Sequence, residues 1–188
     1  MKRRLAPLHL LLSLALASIA CTIFVGGPDA PSTTVPVSVE AAETIKQEFK
    51  RAVEAGVMTG TVTLQLNESQ LTSLLAIKLA AQSRPFMTDP QVLLRDGEMQ
   101  IFGKVQRGIF TANVAMVVSV GVDEDGQPRI EVTSADFGPF PAPAGLNSAL
   151  SALLAEAYTG VLGPIATGFR LEAIAITDGL MTLSGRIK

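Results

Sequence analysis

The sequence predicts an α+β domain in which a long, curved antiparallel sheet wraps one or two long amphipathic helices. Three observations predict it. Between Glu98 and Thr133 apolar and polar residues alternate with a period of two, the pattern of strands with one wet and one buried face. Leucine-rich stretches with apolar spacings of three and four lie on either side of this block. Asp-Gly pairs at Asp96-Gly97, Asp125-Gly126 and Asp178-Gly179 fall where hairpins must turn, and both residue types tolerate the positive φ such turns require.

The N-terminus comes before that domain. Met1-Lys2-Arg3-Arg4 supplies a basic start, and Leu8 to Val25 runs almost unbroken through Leu, Ala, Ile and Phe, the layout of an export signal. Ser18-Ile19-Ala20-Cys21 resembles a bacterial lipoprotein signal with Cys21 as the residue that receives lipid, although Ser18 stands where that motif usually has Leu. Ser18-x-Ala20 also suits an ordinary signal peptidase. Leu5 to Val25 is 21 residues long, close to the ~20 needed to span a bilayer as an uncleaved anchor. A buried helix of a cytosolic protein fits the basic start worst. Residues 1–25 are therefore read as a signal peptide or membrane anchor, and residues 26–37, rich in Gly, Pro, Ser and Thr, as a flexible linker. The rest, 38–188, is read as a single domain, of a size that buries ~70% of its chain surface without disulfides.

Within it, Val39, Ala42, Ile45, Phe49, Ala52 and Val53 recur at helical spacing, so Ser38 to Ala55 reads as an amphipathic helix ended by Gly56. Val62, Leu64 and Leu66 alternate as a strand. Asn67 or Ser69 then caps a helix with apolar positions Leu71, Leu74, Leu75 and Leu79, and this explains Asn67-Glu68-Ser69 more simply than glycosylation does. Met99, Ile101, Gly103 and Val105 share one face of the next strand. From Phe110 to Val122 every even position is apolar, which predicts a strand of 13 residues, ~44 Å long at about 3.4 Å per residue. Ile130 and Val132 continue the alternation. The turn from Gly138 to Gly145, with three prolines, precedes a second long amphipathic helix whose later turns Gly160, Gly163 and Pro164 bend or break. Phe169 to Thr177 and Leu180 to Lys188 close the chain as a hairpin.

An internal repeat runs through these elements. Arg95 to Val105 aligns without gaps on Thr177 to Ile187, matching Asp-Gly, Met, an aliphatic, Gly, a base and a second aliphatic, and a leucine-rich helix lies upstream of each copy. Duplication of a helix-plus-hairpin unit is the sharper reading; shared turn chemistry is the plainer one. Either way Gly103 and Gly185 lie on apolar strand faces, where a missing side chain permits a kink or the close approach of another segment.

Composition excludes much chemistry. The chain carries 15 Lys+Arg and 17 Asp+Glu, one His, one Cys and no Trp, and His9 and Cys21 both lie in the leader. Catalytic triads with His, H-E-x-x-H zinc sites, cysteine clusters and disulfides are therefore not expected beyond it. Without residues 1–21 the charge is 12 basic against 17 acidic, formally −5, with no basic stripe for nucleic acid. Among Glu98, Asp123, Glu124, Asp125 and Asp136, the run Asp123-Glu124-Asp125 reads as a solvated hairpin tip rather than a catalytic pair. No enzyme and no cofactor are expected.

Three stretches carry a resemblance: Val92 to Ile101 (with Asp96-Gly97 and Met99), Phe137 to Leu146 (Phe-Gly-Pro-Phe-Pro-Ala-Pro-Ala-Gly-Leu) and Ile174 to Met181. With the order of elements from Val57 to Lys188 they resemble the exported bacterial YpmS-like and LmeA-like families, which implies a TULIP-like fold and a hydrophobic groove for acyl chains of an envelope lipid. The motifs are turn and strand patterns, so no catalytic residue carries over.

The function expected is that of an envelope protein, tethered outside the cytoplasmic membrane by its N-terminus, that binds lipid acyl chains between sheet and helices. The groove candidates are Met99, Ile101, Val114, Met116 and Val118 from the sheet, Leu150, Leu153 and Leu154 from the helix, and Met181 and Leu183 from the last strand. The alternative is a structural or interaction lipoprotein in which the same residues form a filled core.

Overall fold

The computed structural model describes residues 22–162 and 169–187, with the backbone alone for 154, 155 and 157–162. In chain order its elements are β1 (Ile23–Phe24), α1 (Val39–Thr59), β2 (Thr61–Asn67), α2 (Glu68–Ala80), β3 (Thr88–Arg95), β4 (Glu98–Arg107), β5 (Phe110–Val122), β6 (Pro128–Asp136), α3 (Leu146–Leu162), β7 (Phe169–Thr177) and β8 (Leu180–Ile187). The architecture is α+β: a curled, half-barrel sheet with three helices. His9, Cys21 and the side chain of Leu154 lie outside the described residues.

The alternating block folds as its period predicts. β3, β4, β5 and β6 run as an antiparallel meander, and Ala112, Val114, Met116 and Val118 of β5 are all buried on one face. The curved sheet expected from the sequence is present, but its hydrogen bonding divides it into two groups of strands. Five strands, β1 and β3 to β6, form one sheet, and β2, β8 and β7 form the other, with β8 in the middle. β2 pairs with β8 over its whole length, Val62 opposite Gly185 and Leu66 opposite Met181. Alternation fixes which face of a strand is buried but carries no record of its neighbour, so this long-range pairing leaves no local trace. The two sheets are linked where the Gly179 amide donates to Leu94 O (2.9 Å) and Arg170 Nη2 donates to Glu124 O (2.8 Å). One hydrophobic core runs through both.

α1 starts at Ser38, whose side chain accepts from the Ala41 amide, but it does not end at Gly56. It continues to Thr59 and stops at Gly60, with φ +75°, whose amide donates to Gly56 O. Gly56 is needed for a different reason: a Cβ there would stand 2.7 Å from Thr61 O and from Val62 Cγ2, so its absence lets the helix lie directly on β2. α2 begins with a reciprocal capping box between Asn67 and Gln70.

The repeat is visible locally. In each copy the strand after the Asp-Gly turn, β4 or β8, is flanked by two partners. Its glycine admits a close neighbour, as expected. A Cβ on Gly103 would overlap Met87 Cε and stand 2.9 Å from Thr88 O; one on Gly185 would overlap Arg170 O and stand 2.6 Å from Phe169 Cζ. The two turns differ, since Asp96 takes a positive φ (+55°) and Asp178 does not.

The stretch 26–37, read from its composition as a linker, is laid along the sheet. Asn113 donates from its amide to Gly26 O (3.0 Å) and from Nδ2 to Pro28 O (3.0 Å), and Gln91 Nε2 donates to Val35 O (3.2 Å).

Candidate functional site

α2 and α3 lie over the buried face of the five-stranded sheet and leave an apolar slot between them. One wall is Leu71, Leu74 and Leu75 of α2, the other is Leu150 and Leu153 of α3, and Val92, Met99, Ile101, Val118 and Ile130 from four successive strands form the floor. Lys78 is the charged residue in the lining, and its Nζ donates to Glu156 Oε1 (2.6 Å), which ties α2 to α3 at the rim.

The rotation of α2 explains why leucines line a gap. In the isolated sequence its leucine stripe is the natural core face, yet Leu71, Leu74 and Leu75 are only half-buried while Thr72 and Ser73 are fully buried. The polar residues are held by the edge of the sheet. β3 is an edge strand, and α2 satisfies its outward backbone groups: Thr72 Oγ1 accepts from the Val92 amide (2.9 Å), and Glu68 Oε1 accepts from the Leu94 amide (2.8 Å) and pairs with Arg95. Ser73 Oγ accepts from the Ser38 amide (3.0 Å), and Gln70 Nε2 donates to Thr44 Oγ1 and Glu48 Oε2. Unmade hydrogen bonds to buried backbone cost about 1–3 kcal/mol each, so these contacts fix the helix with its leucines turned across the sheet.

Of the ten groove candidates, Met99, Ile101, Val118, Leu150 and Leu153 meet in this slot. Val114 and Met116 are buried on the same face of β5, but Val114 borders a separate crevice of about 390 Å³ beneath the strap formed by residues 29–37. Met181 and Leu183 sit on β8 in the second sheet, opposite Leu66 and Leu64. The structure thus does not bring all ten together. Sequence reasoning missed Leu71, Leu74, Leu75, Lys78, Val92 and Ile130, although the first four recur at i, i+3, i+4 and i+7 and the signal of a common face was present.

The slot measures about 70 Å³, well under the ~300–1,000 Å³ typical of sites that enclose a small ligand. In this conformation it is a seam. The Asp123-Glu124-Asp125 run is a hairpin tip, as expected, with Asp123 Oδ1 accepting from the Asp125 and Gln127 amides. No group of three or more His, Cys, Asp or Glu side chains placed to hold a metal ion occurs among the described residues, and none of their helices is long and apolar enough to cross a membrane. No protein-family model, no curated protein and no solved structure matches the chain.

Proposed function

We propose that this is an exported, membrane-tethered, TULIP-like protein that takes lipid acyl chains into the slot between α2 and α3. The observation that carries the reading is the orientation of α2. Three leucines are held half-exposed across an apolar floor while Gln70, Thr72 and Ser73 of the same helix are buried together with Leu79. Each methylene transferred from water into such a lining contributes about 0.8 kcal/mol, so a chain of several methylenes binds usefully without polar recognition. Admission requires α2 and α3 to part. The Lys78–Glu156 bridge at the rim is half in water and worth ~0–1 kcal/mol, a clasp that a ligand can displace, and Lys78 is then placed to pair with an anionic headgroup.

The small volume of the slot favours a second reading, a structural module whose interior is already filled. The two are separated by extracting the protein purified from membranes with organic solvent and identifying bound lipid by mass spectrometry. Acyl lipid at about one molecule per chain, lost in Leu74→Arg, supports the first reading. Lipid-free protein that also takes up no fluorescent fatty acid supports the second.

A further inference from the structure

Four large apolar side chains are exposed together at one end of the five-stranded sheet. Ile23 pairs with Phe110 and Phe24 with Thr111 in the parallel contact of β1 with β5, and the Ile23 amide donates to Ile109 O (2.7 Å). Ile23, Phe24, Ile109 and Phe110 are 47%, 60%, 51% and 42% exposed. Clustered exposed apolar residues of this size mark an interaction surface rather than chance.

The turn chemistry singles out this end. The hairpins β3–β4, β5–β6 and β7–β8 turn on Asp-Gly, whereas β4–β5 turns on Gly108-Ile109 between Arg107 and Phe110. No acid occurs from residue 99 to 122, while Asp123, Glu124 and Asp125 crowd the opposite end of β5, ~40 Å away along the strand. Arg107 flanks the patch with its guanidinium 5.8 Å from the Phe140 ring and its Nη2 donating to Pro141 O (3.2 Å). A cation on an apolar stem beside aromatic rings suits the boundary between headgroups and acyl chains. The sequence agrees: the apolar run that follows the basic start extends to Val25 and so includes Ile23 and Phe24 of β1.

We infer that the tip formed by β1 and the β4–β5 turn inserts into the outer interface of the membrane that holds the N-terminus, with Ile23, Phe24, Ile109 and Phe110 among the acyl chains and Arg107 at headgroup level. The inference rests on the tethered reading above for its geometry, but not on the slot binding lipid. The sheet then stands on the bilayer with its acidic hairpin outward, away from anionic lipid.

The absence of Trp from the chain makes the test direct, because a single introduced indole is the only one that emits. Phe110→Trp and, as control at the far end of β5, Gln127→Trp are made in the full chain and reconstituted into phosphatidylethanolamine/phosphatidylglycerol vesicles, with and without brominated acyl chains. The insertion predicts blue-shifted emission from the Phe110→Trp chain, quenched by brominated lipid several-fold more than emission from the Gln127→Trp chain. Phe24→Trp repeats the reading should Phe110→Trp fold poorly. A chain that floats with the vesicles while the indoles of both Phe110→Trp and Phe24→Trp stay unquenched overturns the tip and leaves the tether standing. Blue-shifted emission without bromine quenching means that a protein surface, a second copy included, covers the tip, and overturns it too. A chain that does not float with vesicles overturns both tip and tether.

Discussion

The two sheets cover their apolar faces in different ways. Over the three-stranded sheet, α1 packs on β2, its Ile45 and Phe49 are buried in the core, and the Phe49 and Phe169 rings meet edge-on at 5.9 Å. Over β3 to β6, cover is shared between two helices from distant parts of the chain, and the seam between α2 and α3 stays open. One helix that puts its apolar stripe down closes a sheet. Two helices, one of them turned by hydrogen bonds to a sheet edge, leave a slot whose width depends on how they lie.

The difference can be broken from the closed side first. Phe49→Ala removes a buried ring and its edge-on partner contact, and should cost about 3–5 kcal/mol in chemical denaturation. Leu79 and Leu74 test the same contrast within one helix. Leu79→Ala, at a buried position, should cost about 2–5 kcal/mol, whereas Leu74→Ala, on the slot wall, should cost clearly less in the same denaturation series while weakening fatty-acid uptake. Equal losses would mean that the slot is ordinary core. Thr72→Val keeps shape and volume but leaves the Val92 amide of the β3 edge unsatisfied, a loss of about 1–3 kcal/mol; a neutral result would remove the reason given for the rotation of α2. The smallest effect belongs to the rim. Lys78→Met should change stability by no more than ~1 kcal/mol and speed fatty-acid entry in stopped-flow fluorescence.

Much of this was legible. The alternation from Phe110 to Val122 gives β5 with its observed ends, Asn67, one of two caps the sequence offers, starts α2, and the inward glycines at 103 and 185 announce close neighbours that are indeed present. These features depend on local periodicity, capping and the missing Cβ, all of which a sequence displays. The pairing of β2 with β8 and the parallel addition of β1 depend on segments far apart in the chain, and nothing local marks them. The slot was half legible for the same reason. Met99, Ile101 and Val118 of its floor and its α3 wall follow from alternation and helical spacing; the α2 leucines share a face in the sequence too, but that this face turns to the slot follows only from Thr72 and Glu68 binding the edge of β3. That edge exists only after the sheet has formed. Met181 and Leu183 lie outside the slot because β8 pairs with β2 and β7, a long-range pairing that the repeat does not reveal.

In the function proposed, the seam between α2 and α3 admits an acyl chain. Equilibrium titration of the full chain with a fluorescent fatty acid, alongside Leu74→Arg on the slot wall and Thr63→Arg on the exposed side of β2, tests it most directly. Saturable uptake by the unaltered chain is expected, with loss in Leu74→Arg and retention in Thr63→Arg. No saturable uptake by the unaltered chain, or equal uptake by both variants, would contradict it.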